Sequence, residues 1–353
     1  AAKEIKVGAV MPMSGPLAAY GQVTNLGLEL AHKQQPTLAN GDTIKIVLLD
    51  NKGDKVETAN ATTRLISSDK VVAILGALTS TNTAQTIAIA DKKKIPVIAS
   101  VATNDKLTAK RTFANRVCFT DSFQGEVVAN FALEQGYKTA VVVIDQAQVY
   151  SLGLSKAFQN AFKKKGGKII KRIKVTSGDK DFKAVVSQIK KLNPDFLFMP
   201  LYHPEASMIA RQSKQLGLDK PMFSGDGVAN QTFIDLGGES VNGYMFTDFF
   251  DYKNPPSTTS SDFIKFHEKE TGNAEMNSFT ALGADTYNVL IAAMNKCEDP
   301  TNSVCINNEI KKTTNFDGVS GKISINNEGN ATRSAVIKEI KNGKAEFKAT
   351  VNP

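Results

Sequence analysis

Two short stretches concentrate side chains that could hold charge. Residues 79–83 read Thr-Ser-Thr-Asn-Thr, directly after an apolar run, Ala73 to Leu75, that Gly76 interrupts. A helix with apolar positions at Ile87, Ile89 and Ala90 follows. A helix start carries free backbone N–H groups and the positive end of the helix dipole, and Ser80 adds a hydroxyl beside them, a combination that suits an anion. Capping the helix would need one such side chain and not five. The second stretch is Gly225-Asp226-Gly227. Glycines leave room for a ligand to come close, and a carboxylate there is a natural partner for a cation. The competing reading of Asp226 is a cap for a helix beginning near Val228.

Other loops add polar and aromatic groups. "IASVATNDKLT", residues 98–108, centres Thr103 among small and hydroxylated neighbours. Tyr20, Tyr150 and Tyr202, three of the chain's seven tyrosines, fall at the ends of apolar runs. An anion site near Ser80, a carboxylate at Asp226 and aromatic walls around both describe a site for a zwitterion with a modest apolar side chain. A free α-amino acid fits that description.

These loops need elements to position them. Apolar runs of strand length occur at 5–11, 45–49, 71–75, 96–99, 139–144, 168–174, 195–199 and 221–223. Segments with helical period lie between them, at 24–34, 56–67, 82–92, 123–135, 152–164, 181–192 and 204–216. In the sixth of these, Phe182, Val185, Val186, Ile189 and Leu192 fall along one face. Regular strand–helix alternation implies parallel βαβ units covered on both faces. The series appears twice, over 4–118 and 138–248, and the remainder is less regular. Helices at 258–270, 278–296 and 304–313 precede short antiparallel strands with an Asn-Gly turn at 342–343. The expected fold class is α/β, with two doubly wound parallel-sheet lobes that share the last part of the chain. Ligands of such sheets bind beyond the C-terminal ends of the strands, where the loops above lie.

Composition narrows the function classes. The 353 residues are 41% hydrophobic and 22% charged, which is ordinary for a globular chain of two domains. No apolar run approaches the roughly 18 residues of a membrane span. The net charge of +8 is scattered; its densest runs, "DKKKIP" and "FKKKGGKIIKRIK", read as solvated helix ends and lack the interleaved aromatics or arginines of a nucleic-acid surface. The chain opens without an initiator Met or a signal hydrophobic region, as an exported protein whose signal peptide has been removed would, and as a chain trimmed at its start would too. Of three cysteines, Cys297 and Cys305 flank a polar turn and could pair in an oxidising compartment, while Cys118 reads as a small buried hydrophobe. No Cys/His grouping has metal-site spacing. His32 and His267 fall on expected helices and His203 on a loop, with no Ser or Cys at the spacing of a triad, so no enzyme and no cofactor are expected.

The residues also carry a family resemblance. "MSGPLAAYGQ", "TDSFQG", "GDKDF", "LYHPEA" and "GDGVAN" stand in order along nearly the whole chain. The sequence resembles the periplasmic branched-chain amino acid-binding proteins of ABC transporters, the leucine/isoleucine/valine type. The resemblance implies a type I periplasmic binding fold: two lobes joined by three hinge crossings that close on a ligand. It places 1–120 plus 250–329 in one lobe and 121–249 plus 330–353 in the other. It implies a monomer that captures a small L-amino acid in the interlobe cleft and passes it to an ABC permease in the inner membrane, with no nucleic acid involved. Carried over residue by residue, Ser80 and backbone N–H groups, including that of Thr103, would meet the ligand carboxylate. The Val101 carbonyl, the Thr103 hydroxyl and Asp226 would meet the ammonium. Tyr20, Leu78, Tyr150, Tyr202 and Phe279 would line the side-chain pocket. Some relatives have Glu where this chain has Asp226, one methylene longer. Several have a disulfide between the positions of Gly53 and Thr79, and both cysteines are missing here. The alternative ligands for the same fold are amides, urea or aromatic acids; aromatic acids lack an ammonium and would leave Asp226 buried and unpaired, at a cost of several kcal/mol.

Overall fold

The computed structural model describes residues 1–353. The first series runs β1 (Glu4–Met11), α1 (Ala18–Gln34), β2 (Thr43–Asp50), α2 (Lys55–Ser67), β3 (Ile74–Gly76), α3 (Ser80–Lys92), β4 (Val97–Ala99) and β5 (Ala114–Arg116). The second runs α4 (Asp121–Glu134), β6 (Thr139–Asp145), α5 (Val149–Lys164), β7 (Lys168–Val175), α6 (Lys183–Leu192), β8 (Phe196–Phe198), α7 (His203–Gln215), β9 (Met222–Ser224), α8 (Gln231–Gly237) and β10 (Met245–Asp248). Helices α9 (Thr258–Thr271), α10 (Ser278–Asn295) and α11 (Ser303–Ile310) follow. Three short strands come next, β11 (Phe316–Gly318), β12 (Gly321–Ile325) and β13 (Ala331–Thr332), then β14 (Ala335–Lys341) and β15 (Lys344–Val351).

The chain divides into two compact units, Ala1–Thr120 with Phe250–Ser334, and Asp121–Phe249 with Ala335–Pro353. The last crossing therefore falls five residues later than the sequence suggested. β13 pairs with β12, which keeps Ala331 and Thr332 in unit 1. Unit 1 contains a parallel sheet in the order β2-β1-β3-β4-β5 and the small antiparallel sheet β11-β12-β13. Unit 2 contains β7-β6-β8-β9-β10, all parallel, extended by β14 and β15 running antiparallel. Both parallel sheets reverse their order beside their first strand, at β1/β3 and β6/β8. Such switch points are where loops diverge and ligands enter.

The sequence pattern accounts for most of this. β3, β4, β8 and β9 are fully buried, which is why their short apolar runs show no alternation. On α6, Val186 and Ile189 are buried, and Phe182 just ahead of it is buried too. The hairpin β14–β15 turns on Asn342 (φ 50) and Gly343 (φ 79), the pair of positive φ values that a two-residue hairpin of matching twist requires. The basic run 162–174 is half helix end and half edge strand: on β7, Lys168, Lys171, Arg172 and Lys174 are exposed. Lysines on an edge discourage pairing with another chain.

Some boundaries differ from the pattern. α1 begins at Ala18, six residues before its apolar period becomes visible, because its first turns contain Gly21. A Cβ there would lie 1.6 Å from the Pro12 carbonyl oxygen, so close packing and not apolar spacing defines that end. β3 starts at Ile74, three residues later than expected, and α11 ends at Ile310, three residues earlier. His203 opens α7 and is not in a loop. Cys297 and Cys305 are joined as a disulfide, and the buried Cys118 thiol donates to the Ala102 carbonyl at 3.2 Å. No helix is long and apolar enough to cross a membrane.

In unit 1, α1 and α10 pack backbone to backbone. A Cβ on Gly27 would meet the Thr280 carbonyl oxygen at 1.8 Å, and one on Gly283 would meet that of Thr24 at 2.1 Å. The Thr280 hydroxyl donates to the Val23 carbonyl at 2.7 Å across the same seam. Gly27→Ala must push these helices apart, and overpacking of this kind costs about 1–3 kcal/mol. Denaturant unfolding is expected to show that loss; a change under about 0.5 kcal/mol would contradict the seam.

Candidate functional site

Unit 1 gathers its polar groups at the C-terminal ends of β3 and β4. Gly76 ends β3 at φ 159, and a Cβ there would lie 2.2 Å from the Val10 carbonyl oxygen, so only glycine fits against β1. Leu78 is buried at φ 83, a left-handed conformation that costs a branched side chain on the order of 1–3 kcal/mol and concentrates at functional turns. Two of the five side chains in 79–83 hold this turn in place. The Thr79 hydroxyl caps α3 by accepting from the Asn82 N–H at 3.4 Å, and the Thr83 hydroxyl accepts from the Ala77 N–H at 2.9 Å. Ser80 reaches the next loop, where its hydroxyl accepts from the Asn104 N–H at 3.3 Å. Val101 and Thr103 in that loop are buried, and the Thr103 hydroxyl has no hydrogen-bond partner.

The loop is pinned from behind by Arg116, a guanidinium only 1% exposed. It donates to the carbonyls of Ala102 at 2.9 Å and Asn104 at 2.7 Å. The sequence reading missed this residue; an arginine inside the apolar stretch "FANRVCF" was its signal. Aromatic surface comes from Tyr20 and Phe279, stacked with ring centroids 5.7 Å apart. Asn277 caps α10, accepting from the Phe279 N–H at 2.7 Å, and so fixes the helix start from which that ring projects.

Unit 2 builds around Asp226, 3% exposed. β9 ends at Ser224 and a single 3-10 turn, Asp226–Val228, follows. The cap of the next helix, α8, is Asn230, whose side chain accepts from the Phe233 N–H at 3.0 Å. Asp226 is therefore free of the capping role that its position in the sequence allowed. Its N–H donates to the Gln124 side-chain oxygen at 2.9 Å, which also accepts from the Thr247 hydroxyl at 2.6 Å. The Gln124 amide in turn donates to Asp121 at 3.0 Å. Carboxyl oxygen Oδ1 of Asp226 has no partner.

Burial pushes the Asp226 carboxyl up to about 7; hydrogen bonds from Tyr150 and Gln124 work against that rise, and the nearby Asp248 adds to it. The charge of Asp248 is met by Lys338 at 2.8 Å. Tyr150 is raised well above the usual phenol range, by burial first and then by Asp226 and Asp121, so it remains a hydroxyl. Its hydroxyl accepts from the Gly227 N–H at 3.1 Å, and its ring stacks on Tyr202 at 5.0 Å and 12°. The two glycines flanking Asp226 are filled by protein. A Cβ on Gly225 would lie 2.6 Å from the Tyr150 hydroxyl, and one on Gly227 would lie 2.4 Å from the Leu201 carbonyl oxygen. They let the protein close on Asp226, which replaces the expectation that they admit a ligand. Gln124 and Thr247 were also missed, although Gln124 stands inside the quoted "TDSFQG". No group of three or more His, Cys, Asp or Glu side chains could hold a metal ion.

A family model for periplasmic binding proteins matches residues 4–345. The chain belongs to the periplasmic binding protein family. It is 30% identical to the Leu/Ile/Val/Thr-binding protein of Salmonella typhimurium, over 93% of this chain and 88% of that one. Its fold matches the leucine-binding protein LivK of Thermotoga maritima with a TM-score of 0.96 at 38% identity, covering 99% of both chains. It also matches LivJ of Streptococcus pneumoniae, a branched-chain amino acid transporter substrate-binding protein solved in complex with isoleucine. That match has a TM-score of 0.92 at 31% identity, covering 99% of this chain and 100% of that one. The type I periplasmic binding fold expected from the sequence is thus the fold observed.

The burial of Asp226 has a measurable consequence for stability. Its folded value, about 7, lies above the ordinary 3.8, so between those pH values the folded state binds more protons than the unfolded one. Stability contributed by this group is then present below the lower value and is lost as pH rises toward the upper. Ligand-free Asp226→Asn is expected to gain on the wild type by a few kcal/mol at pH 8 relative to pH 4. Parallel stability curves for the two proteins over that range would show that Asp226 ionises freely.

Proposed function

We propose that this protein is an exported solute-binding protein that captures a small aliphatic L-amino acid and delivers it to an ABC permease. The observation that carries the reading is the pair of buried polar groups without partners, the Thr103 hydroxyl and Asp226 Oδ1. Burying such groups unpaired costs about 1–3 kcal/mol each, more if charged, unless a ligand supplies what is missing. In this reading Ser80, the start of α3 and the Thr103 N–H take the ligand carboxylate. The Val101 carbonyl, the Thr103 hydroxyl and Asp226 take its ammonium. Tyr20, Leu78, Tyr150, Tyr202 and Phe279 supply apolar surface for the side chain. The names of the related proteins, which bind leucine, isoleucine and valine, support the aliphatic class. The protein acts as a monomer outside the cytoplasm and needs no cofactor.

Thermal unfolding tests this once any carried-over ligand has been stripped by unfolding and refolding. At a thousand times its dissociation constant a ligand stabilises by about 4 kcal/mol, and an aliphatic L-amino acid should give the largest shift among the common amino acids. At pH 8, Asp226→Ala should weaken that ligand by roughly two to three orders of magnitude, because the ammonium loses a desolvated partner. The acid lacking the amino group should bind the wild type poorly and gain relatively from Asp226→Ala. No shift with any amino acid, or equal penalties for the missing amino group in both proteins, would remove the assignment.

A further inference from the structure

Asp226 is a carboxyl group without a cation in its own unit. From unit 2 it meets the Tyr150 hydroxyl on α5 and the Gln124 amide on α4, whose first residue is Asp121. Asp248 ends β10 and is held by Lys338 of β14. Helix α7, packed against the Asp226–Val228 turn, opens with His203 and contains Glu205, itself raised by burial and engaged by the Gly178 N–H at 3.1 Å. Oδ1 is buried and has no hydrogen-bond partner. What stands there can be a carboxylate oxygen that accepts from an ammonium, or the O–H of a neutral carboxyl group.

We infer that the same site also takes the 2-hydroxy acid that corresponds to its amino acid ligand, with Asp226 protonated and donating to the ligand's hydroxyl. The inference rests on the amino acid reading above. An ammonium facing a carboxylate and a hydroxyl facing a carboxyl group have the same net charge. Both place one proton between the two heavy atoms, so the exchange costs the buried site no uncompensated charge. A hydroxyl keeps a proton to donate to the Val101 carbonyl and lone pairs to accept from the Thr103 hydroxyl. A 2-oxo acid has no proton to donate and leaves that carbonyl unsatisfied, so it binds less well than the hydroxy acid. Burial sets the titration of Asp226 at about 7, within the range where both forms can be populated. The ligand's own carboxylate stays ionised above about pH 5. An apolar acid without ammonium or hydroxyl gains nothing from the exchange beyond relief of the charge.

Isothermal titration of the best-bound L-amino acid and its L-2-hydroxy analogue, from about pH 5.5 to 8.5, tests this. The hydroxy acid should weaken about tenfold per pH unit above the Asp226 titration, and the amino acid should weaken likewise below it. In buffers of different ionisation heat, the amino acid should release a proton at low pH and the hydroxy acid should take one up at high pH. Asp226→Asn, neutral and still a donor, should keep hydroxy acid binding, lose its pH dependence and bind the amino acid poorly. If this variant does not fold, the wild-type pH series decides alone. A protein that binds the amino acid but shows no hydroxy acid binding at pH 5.5, or binding without pH dependence, overturns the inference and leaves the amino acid reading intact. A protein that binds no amino acid overturns both.

Discussion

A carboxyl group buried without a cation in its own unit is a strong constraint on everything around it. Asp226 has almost no solvent, and Lys338, the cation beside the neighbouring Asp248, is already held by that carboxylate. Water would ordinarily solvate such a group, and here protein dipoles do part of that work. Gln124 accepts the backbone N–H and is itself steered by Thr247 and Asp121. Tyr150 stays a neutral hydroxyl in the same environment chiefly because it is buried, and because ionising it beside Asp226 and Asp121 would add a further negative charge. Gly225 and Gly227 are needed because the tyrosine hydroxyl and the Leu201 carbonyl occupy the space where their side chains would stand. Each residue is explained by the one carboxyl, and none satisfies it completely.

The parallel sheets make such concentration possible. A parallel strand must return by a crossover, so all strands of one sheet end on the same edge, and their following loops gather there. In unit 1 this brings the end of β3, with Ser80, beside the loop after β4, with Thr103, although 23 residues separate the two serial positions. The link is direct, from the Ser80 hydroxyl to the Asn104 N–H. Arg116, on the neighbouring β5, then fixes the loop's carbonyls from inside the unit. The loop is held on its protein side, and the Thr103 hydroxyl is left for something else. Leu78 carries the corresponding strain at the other loop, where the chain turns sharply to start α3.

The fold was legible in the sequence because strand and helix periods alternate so regularly that few topologies remain. The boundaries that slipped are those set by tertiary contact. Gly21 hides the start of α1, since a glycine has no apolar side chain to register in a periodicity. At the site, the residues that could present chemistry stood out as types: a hydroxyl row, an acid between glycines, tyrosines at strand ends. The residues that hold them did not. Arg116, Gln124 and Thr247 act across sequence separations of up to 123 positions, and no local pattern marks a side chain whose partner stands so far along the chain. The glycines beside Asp226 were recognised as special but for the wrong neighbour, because a sequence shows that space is needed without showing what fills it.

In the proposed reading, recognition divides unevenly between the two ends of a ligand. The buried pairs Tyr20 on Phe279 and Tyr150 on Tyr202 are the proposed apolar surface, and apolar surface distinguishes one methylene more or less by only about 1–3 kcal/mol. A buried polar group left unpaired is more selective, since a ligand that fails to meet it forfeits the bond and leaves the desolvation cost in place. Head-group chemistry therefore decides which class of molecule enters, and side-chain shape only ranks members within it. If Asp226 meets the ligand as proposed, its head-group requirement is itself adjustable. A single proton converts an acceptor into a donor at Oδ1, so under the proposal above the head group that Asp226 meets can change with pH.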